Sequence, residues 1–459
     1  MITNETKTEE ETRTQHKIEV LSKAISSWYV RRDSKFYDVN RLNTPLSKED
    51  IERACIIRIR QSFANFDITP DLIKAVFNRA IVQMIGNPEQ SIPVWNGSQV
   101  CSPDVLERVV WKDGTVAVNT WTQPSYRSLR VNEAELGVAA EFFEAMFARE
   151  AEREMVLNWL AWCLQNEADK PMWAPFFYSR SKGTGKSTLC MLVGKLFGDE
   201  NTVTQNSIEK LTAQFNMSVL QSKLVISEEV QLKPNTAQGN RLKTYITEPH
   251  TLAEKKGREA ELVKQCCSFL FTSNHLPLWI EPADRRIYIC DVDHDGHSSG
   301  PRAAEFSELV GRLREAMEDP VEVAKMYNAL VARRLPDTFS PKSLNITRDS
   351  TPIMKRIHES SRLVTLDQLD EYFDELSWNA VSESLVVTFI KTRLGGTTNQ
   401  TKHLMSELGW EKQKAKWDGV DYSRAIWVRP GYAVHNGRIV KPDGTTEPIP
   451  NGNEFRESV

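Results

Sequence analysis

Residues 174–197 read APFFYSRSKGTGKSTLCMLVGKLF: an apolar run, a polar turn punctuated by glycine, and a stretch with helical patterning. Leu189, Leu192, Val193, Leu196 and Phe197 recur at helical spacing and stop at Gly198. A strand, a glycine turn and a helix in this order suit a triphosphate. Its oxygens need converging backbone N–H groups, so bulky side chains must be absent where Gly183 and Gly185 stand. Lys186 would place a point charge between the β- and γ-phosphates. Ser187 would offer its hydroxyl to Mg²⁺, and the helix N-terminus adds its dipole. The expected ATP-binding set is therefore Ser181, Lys182, Gly183, Thr184, Gly185, Lys186, Ser187 and Thr188. One departure stands out. In the pattern G-x-x-x-x-G-K-[ST], the first glycine position is Arg180.

Outward from this stretch, short apolar runs alternate with helical patterns: KLVISEE at 223–229, CSFLFTS at 267–273 and RRIYICDVD at 285–293. Such alternation predicts an α/β domain, a parallel sheet with helices on its flanks. Ligands of parallel sheets sit at the carboxyl ends of strands, so Glu228 and Glu229 should face the glycine turn. Glu228 would help hold Mg²⁺ through water, and Glu229 would accept a proton from an attacking water. Without the turn upstream, two glutamates ending a strand would be solvated surface. Asn274 ends the next strand and could hydrogen-bond a water and a γ-phosphate oxygen together, though asparagine also ends strands simply to turn. Arg285 or Arg286 could reach a phosphoryl group on a neighbouring subunit, or could pair internally with Asp284 or Asp293. His275 has no metal partner at sequence level and reads as structural.

Taken together, WLAWCLQ (159–165), SKGTGKST (181–188), the FN of QFNMSVLQSKLVISEE (214–229) and FTSNHLP (271–277) resemble the superfamily-3 helicases. The chain is most similar to the helicase module of phage and plasmid primase-helicases, over roughly residues 142–292. The resemblance implies a modified AAA+ P-loop fold, a hexameric ring, ATP at subunit interfaces and 3′→5′ travel on single-stranded DNA. It also implies that LKTYITEPHTLAEKKGREAELV (242–263) carries a hairpin projecting into the ring channel, with Lys255 and Lys256 on or near it and Lys243 and Arg258 as further DNA contacts. Lysines beside a glycine turn suit phosphate tracking. Glu254, Glu259 and Glu261 nearly cancel them, so a solvated turn is the other reading. No primase constellation is recognisable in the N-terminal third.

The remainder sets the organisation. Residues 1–16 lack hydrophobic periodicity and are expected to be disordered. Residues 17–130 read as a mixed α+β accessory domain with a hairpin about Asp113-Gly114, and 131–170 as a helical collar segment. The ATPase domain is placed at 171–340, a linker at 341–360, a winged-helix domain at 361–441 and a flexible tail at 442–459. Within the winged helix, residues 382–392 and 401–408 read as two helices, followed by a hairpin about Asp418-Gly419. Lys412, Lys414 and Lys416 alternate along its first strand and so share one face. Residues 391–441 hold ten Lys or Arg against four Asp or Glu, which suits duplex DNA or, alternatively, a protein contact or a solvated face.

Over 459 residues the net charge is −4 and 26% are charged, an ordinary globular composition that excludes a histone-like polycation. Seven cysteines without a C-x-x-C pair give no disulfide or zinc framework. No apolar run approaches the roughly 18 residues of a membrane span, and the polar N-terminus is not a secretory signal, so a cytoplasmic protein of a bacterial host is expected. The reading is an ATP-dependent DNA helicase and replication initiator of a phage, plasmid or other mobile element, using ATP and Mg²⁺. Its expected partners are single-stranded and duplex DNA, further copies of itself, and host or phage primase and polymerase. An origin-binding initiator whose ATPase only switches assembly is the alternative. A small-molecule kinase is disfavoured for want of an acceptor-substrate domain.

Overall fold

A computed structural model describes residues 4–82, 90–206, 208–212, 217–232, 236–253, 261–277, 279–280, 284–375, 377–392 and 398–450. The chain forms two compact units. The first comprises Met1–Gln231, Asn240–Leu276 and Arg285–Asp349, and the second comprises Leu232–Gly239, Pro277–Asp284 and Ser350–Val459.

The first unit is built on a five-stranded sheet in the order Ile287–Asp291, Ala174–Tyr178, Ser268–Ser273, Leu224–Ser227 and Thr202–Gln205. Every pairing is parallel. The three inner strands are buried at every residue, which is why they read as unbroken apolar runs rather than alternating ones. The edge strand Thr202–Gln205 escaped the sequence reading because TVTQ, half exposed, presents no such run. The helix Lys186–Phe197 buries Leu189, Leu192, Val193, Leu196 and Phe197, the stripe its spacing predicts.

The collar segment is two helices, Val138–Met146 and Glu150–Gln165. Trp159 of the second is fully buried and donates its indole N–H to the carbonyl of Trp173 at 3.1 Å, tying that helix to the start of the sheet. Ala303–Glu318 and Pro320–Ala332 complete the flank. Asp319 caps the latter by accepting from the Val321 amide at 2.8 Å, beside Pro320 at the first helical position.

Ahead of the sheet, a helix Asn4–Trp28 packs Leu21 and Ile25 against Cys55 and Ile59 of the helix Lys48–Ser62 and Val76 of Pro70–Phe77. Residues 4–16, expected to be disordered, are the first turns of that long helix. Once Leu21 and Ile25 are docked, each further Glu, Lys or Arg adds one backbone hydrogen bond without a new nucleation cost. The predicted hairpin is present: Val109–Lys112 pairs with Thr115–Asn119 about Asp113 and Gly114, at φ 48° and 76°, the left-handed pair of a tight two-residue turn.

In the second unit the expected linker is largely helix, since Pro352–Glu375 begins inside it. Helices Glu383–Thr392 and Thr398–Glu407 precede an antiparallel hairpin, Glu411–Ala415 with Arg424–Val428, whose second strand also pairs with Ala380–Ser382. Lys412, Lys414 and Lys416 are all exposed; the first two alternate along Glu411–Ala415, and Lys416 follows its end. The supposed flexible tail is ordered through residue 450. Thr446–Pro448 pairs with Arg438–Val440, and Ile449 packs with Ile426, Val428 and Ile439. The signal was present in Asp443-Gly444, a turn pair between short β-prone runs. All seven cysteines are free thiols, and among the described residues no helix is long and apolar enough to cross a membrane.

Candidate functional site

Because the five strands run in one direction, their carboxyl ends share one edge of the sheet, and the predicted polar residues meet there. The glycine turn leaves the strand Ala174–Tyr178 and enters the helix Lys186–Phe197. Gly183 and Gly185 hold φ of +77° and +88°. At Gly185 a β-carbon would lie 3.0 Å from Phe306 Cζ and 3.1 Å from Phe142 Cε2. Those rings stack on each other and form the floor of the turn, so Gly185 is required by sterics as well as by backbone conformation.

Ser179, 0% exposed, is the hub of the turn. Its hydroxyl donates to the Ser181 carbonyl at 2.8 Å and accepts from Thr184 Oγ1 at 2.9 Å and from the Lys186 ammonium. Lys186 also donates to Asn274 Oδ1 at 2.8 Å. Burial pulls the Lys186 ammonium below its ordinary range, while Asp293 and, more weakly, Glu228 and Glu229 act to raise it. Ser187 Oγ donates to Glu228 Oε2 at 2.9 Å. Glu229 is exposed at φ +56°, a left-handed residue that lets the next amide, Val230, bond the Thr272 carbonyl at 3.0 Å. Thus the turn, the acidic strand and the asparagine strand bring together two hydrogen-bonded pairs, Lys186 with Asn274 and Ser187 with Glu228, at the start of the helix Lys186–Phe197. Ser187 and Glu228 present hard oxygen donors side by side, a set that fits Mg²⁺ taking its other ligands from phosphate and water.

Ser179 and Asp293 were missed as site residues. The sequence offers Asp293, like Asp284, only as an alternative internal partner for Arg285 or Arg286. It lies beyond the carboxyl end of Ile287–Asp291, whereas the arginines precede the amino end, and its Oδ2 instead accepts the Ser181 amide at 2.7 Å. Burial acts to raise the Asp293 carboxyl, but the hydrogen bonds from Ser181, with His297 and Lys186 nearby, outweigh it and hold the group below its ordinary value. Arg285 is exposed and Arg286 half-buried. Ile287 is in register with Ala174, so both arginines stand about 13 Å or more along the strands from the turn of their own chain.

Of the expected DNA contacts, Lys243 is a correction. It is only 9% exposed within the helix Ala237–Thr247, so little of it is presented to a phosphate backbone. Lys255, Lys256 and Arg258 lie outside the described residues. The strands His250–Ala253 and Glu261–Lys264 that flank them do pair antiparallel, so the hairpin itself exists. In the second unit Lys412 forms an ion pair with Glu383 at 2.5 Å, while Lys414 of the same strand and Lys416 just past its end are exposed.

Residues 177–286, spanning the turn, the acidic strand and the asparagine strand, match a family described as a family of unknown function (DUF5906). Over 145 residues, 30% of this chain, it is 30% identical to the DNA primase-polymerase of Nitratiruptor phage NrS-1. The match spans 20% of that relative's length. An apo structure of the NrS-1 C-terminal region superposes with a TM-score of 0.53 at 17% identity, covering 90% of this chain and 99% of that one. The A-form apo structure of the same region gives 0.51 at 17% identity, over 86% and 93% of the two chains. At that identity the likeness is one of fold, and the fold this chain shares with the C-terminal region of a phage primase-polymerase is the mixed α/β architecture described above.

Proposed function

We propose that this chain is a phage DNA-replication protein whose first unit is an ATP-hydrolysing P-loop domain of AAA+ type, working in a homo-oligomeric ring as a DNA helicase. The observation that carries this is the pair of hydrogen bonds at the start of the helix Lys186–Phe197, Lys186 with Asn274 and its neighbour Ser187 with Glu228, which join the glycine turn to the ends of two neighbouring strands. The similarity to a phage primase-polymerase supports placing that chemistry in DNA replication.

In this reading the amides of residues 183–186 and the Lys186 ammonium bind the β- and γ-phosphates, and Asn274 yields its hold on Lys186 as they enter. Mg²⁺, when bound, would supply charge neutralisation on the phosphoryl oxygens, held by the Ser187 hydroxyl and, through water, by Glu228. Glu229, free to move on the exposed rim, takes the proton of the attacking water, and Asn274 orients that water. Arg285 or Arg286 stands too far away to serve its own chain's site. In this reading it serves a neighbour's site. The hairpin of His250–Ala253 with Glu261–Lys264 tracks single-stranded DNA. The helices Glu383–Thr392 and Thr398–Glu407 with their basic hairpin form a winged helix that docks on duplex DNA through Lys414 and Lys416.

The test is ATP hydrolysis with and without single-stranded DNA, alongside separation of a forked duplex bearing a loading tail. DNA-stimulated hydrolysis with unwinding is expected. Stimulation without unwinding would favour an origin-binding initiator whose ATPase switches assembly, the reading to which the exposed lysines of the second unit also lend themselves. Hydrolysis indifferent to DNA would overturn both. Lys256→Ala should lower the DNA-stimulated rate while basal hydrolysis persists.

A further inference from the structure

We propose that Asp293 is the positioning residue of the phosphate turn, a latch that shapes it through the Ser181 amide while its negative charge limits how tightly nucleotide is held. The inference rests on the nucleotide reading of this site. It begins from the departure in the motif: the first glycine position is occupied by Arg180, which is exposed. A turn lacking that glycine needs another device to fix its first arm. The structure supplies two at a single residue. The Ser181 N–H donates to Asp293 Oδ2 at 2.7 Å, and the Ser181 carbonyl accepts from Ser179 Oγ at 2.8 Å.

The latch is itself firmly held. Asp291 is in register with Tyr178, the Val292 amide bonds the Tyr178 carbonyl at 2.8 Å, and the Asp293 amide bonds Asp291 Oδ1 at 3.2 Å. Four residues on, His297 is buried with its ring edge-on to Phe306 at 4.7 Å, the same Phe306 on which Gly185 rests. The segment 291–306 therefore supports both arms of the turn, the first through Asp293 and the second through Phe306.

The carboxylate also shares a network with Lys186, the charge that a triphosphate must engage, because the Ser179 hydroxyl that donates to the Ser181 carbonyl accepts from the Lys186 ammonium. Hydrogen bonding and charge thus act in opposite senses on nucleotide affinity. The amide bond organises the turn and favours binding, whereas the anion competes with phosphate for Lys186 and disfavours it. Substitution can separate the two. Asn keeps an acceptor for Ser181 and removes the charge; Ala removes both.

The experiment is equilibrium binding of a fluorescent ATP analogue with Mg²⁺ to the full chain, with steady-state KM and kcat for ATP, for wild type, Asp293→Ala and Asp293→Asn. A charge-assisted hydrogen bond sets the scale for Asp293→Ala, a rise in Kd and KM of roughly tenfold or more with a smaller fall in kcat. Asp293→Asn should reverse that loss and bind at least as tightly as wild type. Wild-type affinity in Asp293→Ala overturns the latch, and an Asn variant as weak as Ala overturns the charge-against-bond division. Should Asp293→Ala fail to fold, the Asn variant decides alone, since weaker binding than wild type refutes the proposal. A wild-type chain that binds no nucleotide would instead overturn the reading of the site beneath it.

Discussion

The two ends of the central sheet both carry lysines, and the lysines are held differently. At the carboxyl ends, Lys186 is half-buried and rests on side chains: the Ser179 hydroxyl, Asn274 Oδ1 at 2.8 Å and the field of Asp293. At the amino ends, Lys223 is 0% exposed and donates to main-chain carbonyls, Cys266 at 2.8 Å and Asp169 at 3.2 Å. Lys170, also buried, donates to the Tyr245 carbonyl and to Gln265. A carbonyl fixed in the backbone cannot step aside, whereas an asparagine amide or a serine hydroxyl can rotate toward an arriving ligand. The difference separates a cation poised for exchange from cations that pin strands together.

Substitutions at the two ends should break in different currencies. Lys186→Ala is expected to lower ATP hydrolysis by about a hundredfold or more, the scale of one lost electrostatic contact to the transferring group, with the melting temperature little changed. Retained turnover would remove Lys186 from the chemistry. Glu229→Gln keeps the shape of the rim and removes the proposed base, so nucleotide should bind while hydrolysis falls about a hundredfold or more. Cleavage at the wild-type rate would move the base elsewhere. Lys223→Ala should do the reverse of both. Two orphaned carbonyls and a cavity cost about 3 kcal/mol, or roughly 6–12 °C in the melting temperature, with nucleotide affinity preserved in the folded fraction. A melting curve superimposable on wild type would show that Lys223 does not pin these strands.

The subtlest effect concerns Lys170, whose ammonium burial pulls down to about 8. Between about pH 8 and 10 the unfolded chain keeps this proton while the folded one releases it, so the unfolded state binds more protons and stability rises with pH through that window. Below pH 8 both states are protonated and the folded protein carries the full cost of the buried charge. Lys170→Met should therefore lose that part of the rise seen in wild type. Parallel stability–pH curves for the two proteins across the window would reject the assignment.

How much of this was legible in sequence depends on how local the determining interaction is. The turn, its helix and the three inner strands were readable because each writes its own pattern: glycines where φ is positive, a helical stripe, an unbroken apolar run. The edge strand Thr202–Gln205 and the strand Thr446–Pro448 exist by pairing with neighbours, and short half-polar segments carry little pattern of their own. Lys243 shows the same limit in a side chain. A lysine in a basic segment reads as exposed, yet the packing of the helix Ala237–Thr247 buries it.

The sequence by itself determined that a glycine turn joins a strand to a helix and that acidic and amide residues close the strands that follow, because these depend on contacts among near neighbours. Only the tertiary structure decided that Glu228 meets Ser187, that Asp293 belongs to the turn rather than to the arginines, and that those arginines stand at the far end of the sheet. Such pairings join residues as much as 112 positions apart, and strand order and parallel register bring them together rather than any motif.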